Sequence, residues 1–128
     1  MAREAGIRIA LGTDYTNSHN TPYLKLGREF EAMTRAGMTN MEAIKAGTIQ
    51  AAPLLGMENE IGSLEPGKLA DIVVVEGNPL EDIKVLADAD NVKYVFQGGK
   101  LVKGGIWDVY GNYQSRIHPG GASPWNGE

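Results

Sequence analysis

Hydrophobic and polar positions follow two different periods along this chain, and the change of period divides it. The first stretch, residues 1–56, reads as β then α. Ile7-Arg8-Ile9-Ala10-Leu11 is a short β-branched run between Gly6 and Gly12, the pattern of a strand. Ala10 is apolar between larger apolar residues, so the alternation is imperfect, which suits a strand buried on both faces as in parallel sheets. The polar, turn-rich residues from Asp14 to Pro22 read as a loop. Tyr23, Leu26, Phe30 and Met33 then recur at helical spacing and predict a helix over about 23–36, stopped by Gly37. Thr39-Asn40-Met41-Glu42 has the form of a capping box and opens a second helix over 39–46, ended by Gly47. A third helix is expected over 48–55, with Thr48 as its cap, Ile49, Ala52 and Leu55 inward and Gly56 as its stop. Pro53 lies past the first turn of that helix and is expected to kink or tighten it.

From Met57 to Gly105 the period falls to two. Glu65-Pro66-Gly67 is a turn, with proline at the position that fixes φ and glycine where φ is positive. Ala70 to Val75 is the most strand-like run in the chain. Gly77-Asn78-Pro79 breaks it, and Leu80 to Ala87 reads as a short helix or irregular segment. Val92 to Gln97 and Lys100 to Lys103 flank Gly98-Gly99, a strong hairpin signal, because a type I′ turn needs positive φ twice. Residues 106–128 show no periodicity and read as an irregular tail with Trp107 and Tyr110 near its start.

Composition narrows the class. The 128 residues are 42% hydrophobic and 22% charged, which excludes collagen, a coiled coil and wholesale disorder. No apolar run approaches the roughly 20 residues of a membrane span, and the first residues lack the apolar core of a signal peptide, so a cytoplasmic protein is expected. The net charge of -4 disfavours nucleic acid as a partner. With no cysteine, disulfide scaffolds and thiolate zinc sites are excluded.

Candidate chemistry concentrates at Gly12-Thr13-Asp14. A carboxylate directly after a buried strand sits where parallel α/β folds place their ligands. Such an acid can ligate a metal or accept a proton from a metal-bound water; equally, Asp in a turn bonds the backbone two residues on. His19 lies in the same loop, within reach of substrate or metal, or simply solvated. His118 sits in the tail beside Pro119 and reads as a solvated residue. Asp14, His19 and His118 match in number the three protein ligands of a catalytic zinc, but nothing orients the two histidines, so no zinc site is read from them. Lys68 resembles a phosphate-loop lysine only superficially, since the glycine-rich lead is absent. Gly98-Gly99 and Gly104-Gly105 are turn glycines, and Tyr23, Phe30 and Met33 are core.

The order of segments says more than any one residue. After Gly-Thr-Asp come three capped helices, then Ile61-Gly62-Ser63-Leu64-Glu65-Pro66-Gly67-Lys68-Leu69-Ala70-Asp71-Ile72-Val73-Val74 and Gly77-Asn78-Pro79-Leu80-Glu81-Asp82-Ile83. Over about residues 2–105 this closely resembles the C-terminal end of the metal-dependent amidohydrolases, particularly the imidazolonepropionase-like and prolidase-like branch. Gly-x-Leu-x-x-Gly-Lys-x-Ala-Asp before a β-branched strand is highly specific for that group. The resemblance implies an α/β fold: the last strand and helices of a (β/α)8 barrel plus part of a small β-sandwich, incomplete as a single chain. It implies that Ile7 to Leu11 is the eighth barrel strand. Asp14 is then the acid that ligates the metal and handles the proton of the hydrolytic water, and His19 contacts substrate over the mouth. Asp71 is structural.

The family pattern also demands His-x-His on the first strand, a bridging lysine on the fourth, and histidines on the fifth and sixth. None is present. Roughly the first two-thirds of such an enzyme is missing, given typical barrels of about 250 residues, so Met1 is expected to be an internal methionine of a longer gene, or the chain a truncated reading frame. Three readings follow. One is the C-terminal segment of a hydrolase of carbon–nitrogen bonds in small molecules, using zinc or another divalent metal in the full-length parent and inactive and metal-free alone. Another is a non-catalytic fragment that folds as a strand-exchanged oligomer. The third is a small binding module with its site near Asp14. The implied partners are the remainder of the barrel or a second copy of the chain, with neither nucleic acid nor membrane.

Overall fold

The computed structural model of the chain describes residues 5–12 and 26–104. Its first helix, α1, is Arg28–Arg35, with Glu29 and Glu31 in the first turn and Arg35 in the last, matching the helix dipole. The expected start near Tyr23 falls partly on residues outside that range; Leu26 and Gly27 form a turn. The end follows the sequence closely. Gly37 has φ 98°, the Met38 amide donates to Met33 O at 3.2 Å and the Gly37 amide to Thr34 O at 2.9 Å. These are the two bonds of a Schellman motif.

The second helix, α2, is Asn40–Ala46 and carries the full capping box. The Glu42 amide donates to Thr39 Oγ1 at 3.2 Å, and the Thr39 amide donates back to the Glu42 carboxylate at 2.7 Å. Ala43 and Ala46 face inward and are wholly buried. Their small side chains let α2 approach closely, and the Phe30 ring lies over Gly47, where a Cβ would come within 2.9 Å of it.

The third helix differs from expectation. Residues 48–51 form turns, and only Ala52–Leu55 is helical, as a 3₁₀ turn with Pro53 in its first positions and Gly56 left-handed at φ 69°. Thr48 does not cap it, because its hydroxyl donates back to Ile44 O at 2.8 Å. Pro53 cannot donate an amide bond within an α-helix, so the chain tightens instead of continuing. Of the three residues expected inward, only Ala52 is buried; Ile49 and Leu55 are exposed.

The run Ile7 to Leu11 forms no ladder with any described strand. Ile7 is 60% exposed, and the segment is tied by the Leu11 amide on Ala46 O at 2.9 Å. A parallel strand exists only through its neighbours' hydrogen bonds, and no described residue supplies them.

The second part builds a three-stranded antiparallel sheet in the order β1 (Ile72–Val75), β2 (Val92–Gln97), β3 (Lys100–Lys103). Ile72 pairs with Phe96, which pairs with Leu101, and Val74 pairs with Tyr94. Gly98 and Gly99 make the hairpin turn with φ 55° and 77°, as a type I′ turn requires. The strand expected from Ala70 begins at Ile72, because Ala70 and Asp71 bond the hairpin turn instead. Between β1 and β2 the chain runs through two 3₁₀ turns, Ile83–Ala87 and Ala89–Asn91, capped by Asp82 and Asp88.

The buried hydrophobic residues among those described are Ala43, Ala46, Ala52 and Ile83. Larger apolar side chains, including Leu54, Leu55, Leu64, Val73, Val74, Tyr94 and Leu101, are exposed. The paired set Ile72, Val74, Tyr94, Phe96 and Leu101 occupies one face of the sheet, and no described helix packs broadly on that sheet.

Candidate functional site

Asp14, His19 and His118, the residues that sequence reasoning singles out for chemistry, all lie outside the described residues. What the structure positions is the approach to Asp14. The segment leading to it ends at Leu11, whose amide is held by the last carbonyl of α2. The capping box and buried alanines of α2 thereby fix where residues 11 and 12 stand.

Among the described residues, no three His, Cys, Asp or Glu side chains lie close enough together to hold a metal ion. The charged side chains divide instead into structural sets. Arg28, Glu31, Lys84, Asp88 and Asp90 line an open depression between α1 and the 3₁₀ turns. Two of its carboxylates serve the backbone or a neighbour: Asp88 accepts from the Asp90 amide at 2.9 Å, and Glu31 lies 3.9 Å from Arg35. Glu76 and Lys93 pair across β1 and β2 at 2.6 Å. The hydrogen bond from Lys93 holds the exposed Glu76 carboxyl below its ordinary range, and the same bond holds Lys93 above its own.

The family-like signature is also structural. Lys68 Nζ donates to Ser63 Oγ at 2.7 Å and to Glu58 O at 2.8 Å, with Ile61 O at 3.5 Å and Glu65 at 3.8 Å. The Ser63 hydroxyl also donates to Glu65, and this bond, followed by the Lys68 charge, lowers the Glu65 carboxyl. An ammonium surrounded by acceptors has no lone pair to offer as nucleophile or base. Asp71 Oδ1 accepts from the Gly98 amide at 2.7 Å. Sequence reasoning set Lys68 aside and missed this cage, since two of its oxygens are backbone carbonyls that leave no mark on the sequence.

A family model described as "Amidohydrolase family" matches residues 1–102. The chain belongs to the amidohydrolase family. The family relatives include ochratoxinase of Aspergillus niger, 45% identical over 104 residues, covering 80% of this chain and 21% of that protein. Imidazolonepropionase of Geobacillus kaustophilus is 37% identical over 100 residues, covering 77% of this chain and 23% of the relative. Among solved structures, a Xaa-Pro dipeptidase with bound methionine superimposes with a TM-score of 0.68 at 44% identity, over 78% of this chain and 23% of that one. The resemblance read from the sequence therefore holds, as does the likeness to both branches. This amidohydrolase chain spans about a fifth to a quarter of the length of these relatives.

Proposed function

We propose that this chain is the C-terminal segment of a metal-dependent hydrolase acting on carbon–nitrogen bonds in small molecules: amides, cyclic amides or dipeptide-like substrates. In this reading residues 1–56 complete a barrel, 57–105 belong to a composite β-sandwich and 106–128 form an irregular tail. Asp14 is the metal ligand and proton acceptor at the end of the last strand, and His19 contacts substrate. The observation that carries it is the family match over residues 1–102, which begins before Gly12-Thr13-Asp14 and runs through β3. Relatives named for hydrolysis of ochratoxin and of Xaa-Pro dipeptides support the substrate class.

The described residues do not make a metal site by themselves. The described part holds no ligand cluster, and one carboxylate falls short of the three protein ligands of a catalytic zinc. The remaining ligands, for zinc or another divalent ion, belong to the rest of the barrel, and the chain alone is inactive. Exposed apolar side chains on the sheet and on the Ala52–Leu55 turn fit the same reading, as surface that the remainder of the barrel covers. No described helix is long and apolar enough to cross a membrane, and a cytoplasmic location, with neither membrane nor nucleic acid as partner, accords with the sequence.

The test is to read the gene in frame upstream of Met1 for His-x-His and to assay the encoded full-length protein on N-acyl amino acids and Xaa-Pro dipeptides. Zinc-dependent hydrolysis lost in Asp14→Asn, with the fold retained, is the expected result. Full activity in Asp14→Asn, or zinc-dependent hydrolysis by the pure 128-residue chain, overturns the assignment.

A second reading draws on the unladdered run Ile7 to Leu11. A chain with such a run and open sheet edges is prone to exchange strands, giving an oligomer in place of the hetero-assembly. A sharp monomer mass by light scattering at high concentration excludes it.

A further inference from the structure

Four consecutive residues, Lys68 to Asp71, bond to both halves of the described molecule. Towards the helical half, Lys68 Nζ holds Ser63 Oγ at 2.7 Å and Glu58 O at 2.8 Å, and the Leu69 amide donates to Glu60 O at 2.8 Å. The 57–65 turn that supplies these oxygens is tied to the Ala52–Leu55 turn by the Met57 amide on Ala52 O at 3.0 Å. Towards the sheet, the Gly99 amide donates to Ala70 O at 3.0 Å and the Gly98 amide to Asp71 Oδ1 at 2.7 Å. The two middle residues thus face opposite ways in bonding, Leu69 back to the turn and Ala70 forward to the hairpin.

We propose that Lys68-Leu69-Ala70-Asp71 is a clasp that couples the 57–65 turn to the β2–β3 hairpin turn, with Lys68 and Asp71 as its two positioning residues. Three features argue for one unit. First, α1 packs on the Ile83–Ala87 turn, but no described helix packs broadly on the sheet itself, so the hairpin turn is held to the 57–65 turn through this segment and not through a helix. Second, the Lys68 side chain is only 15% exposed. Replacing its ammonium with an apolar group leaves its acceptors with unmet demand in a partly covered site, which releases the turn instead of merely weakening one contact. Third, the span between the anchors is so short, with both intervening residues bonded, that displacement at one anchor is carried to the other. Segments that open together in this way are cooperative units of native-state exchange.

Native-state amide hydrogen exchange on the full chain tests the coupling. Lys68→Met is expected to speed exchange of the Gly98 and Gly99 amides at least tenfold, together with Leu69, although Lys68 touches neither glycine. Asp71→Ala, which removes the acceptor of the Gly98 amide, is expected to speed the Leu69 and Met57 amides by a similar factor. In both variants the amides of the second turn of α2 stay within about twofold of the parent. Should Lys68→Met fail to fold, Ser63→Ala, which removes one acceptor and keeps the ammonium, must show the same joint pattern at smaller amplitude. Changes confined to residues 57–69 in the Lys68 and Ser63 variants, or equal acceleration everywhere including α2, overturn the proposal.

Discussion

Replacing Gly27 with alanine sets two effects of opposite sign against each other. Gly27 has helical angles, φ -61° and ψ -18°, so alanine fits the backbone locally. By restricting the unfolded chain it would stabilise the fold by about 0.4–1 kcal/mol. Packing opposes this. A Cβ at residue 27 falls 1.8 Å from Leu86 O, 2.7 Å from the Leu86 carbonyl carbon and 3.2 Å from Ala87 Cα. All three are backbone atoms of a 3₁₀ turn whose Ile83 is buried, so no rotamer change relieves the clash. The Ile83–Ala87 turn must move away by about 1 Å, and overpacking of this kind costs about 1–3 kcal/mol. Packing wins, and a net loss of about 1–2 kcal/mol is expected, or roughly 4–16 °C in Tm for a cooperative unit of this size. Gly47→Ala is the internal comparison. There the obstacle is the Phe30 ring edge at 2.9 Å, a side chain that can swing, so the loss is expected to be smaller. Urea unfolding followed by circular dichroism reads both variants, with the slope checked for constancy. A higher midpoint for Gly27→Ala than for the parent, or a larger loss at Gly47 than at Gly27, would refute the reasoning.

Three further expectations rest on single features. Thr39→Ala removes the acceptor for the Glu42 amide and should cost about 1 kcal/mol, measured as a lower urea midpoint; an unchanged midpoint denies the capping box any energetic weight. Gly99 holds φ 77° with open space around it, apart from ordinary contact with Ala70, so Gly99→Ala suffers from conformation and not from crowding. A loss of about 1–2 kcal/mol is expected, and thermal stability equal to that of the parent would show that the turn has changed type. The Glu76–Lys93 pair gives a pH window. Glu76 is held below its ordinary value, so its contribution is present above about pH 4.3 and fades as pH falls through its lowered value. Lys93 is held above its own, so its contribution is present below about pH 10.4 and fades as pH rises through its raised value. The stability of Glu76→Gln should therefore converge on that of the parent in acid and above the Lys93 titration, with the difference shrinking in salt; a gap that persists at pH 2 speaks against an electrostatic origin.

What was legible in the sequence follows the range of the interactions. The capping box joins residues 39 and 42, and the Schellman stop joins 33 to 38; each is complete within a handful of residues, and each formed as read. The hairpin is legible for the same reason, since Gly98-Gly99 carries its own turn chemistry. Failures occur where the deciding partner is distant. The run Ile7 to Leu11 has the composition of a strand, yet a strand is a relation between chains of hydrogen bonds, and the neighbouring edges are not in the described residues. Ile49 and Leu55 lie on a helical stripe, but the chain around Pro53 tightens to a 3₁₀ turn at Ala52–Leu55, and both residues are exposed. The candidate site is the extreme case. The proposed metal centre takes its other ligands from parts of the barrel outside this chain, so a local reading finds one candidate carboxylate, Asp14.

The signature Gly62 to Asp71 is likewise governed by the range of its interactions. Its specificity marks the family before any chemistry is assigned to it, and specificity of that kind is easily mistaken for catalysis. Here the geometry points elsewhere: Lys68 is surrounded by acceptors and Asp71 is engaged by a hairpin amide. Each of these side chains bonds a backbone group distant in sequence, up to 27 residues away. Residue identity is therefore constrained without contact with any substrate. In the proposed reading Asp14, by contrast, ligates the metal, and its identity is set by what the rest of the barrel brings to that point. The two aspartates divide accordingly. Asp71→Ala should loosen this chain on its own, while Asp14→Asn should leave the isolated chain's hydrogen exchange unchanged and show itself only in the assembled enzyme. If Asp14→Asn unfolds the isolated chain instead, the residue's work is a backbone cap, and the proposed role at the metal loses its main support.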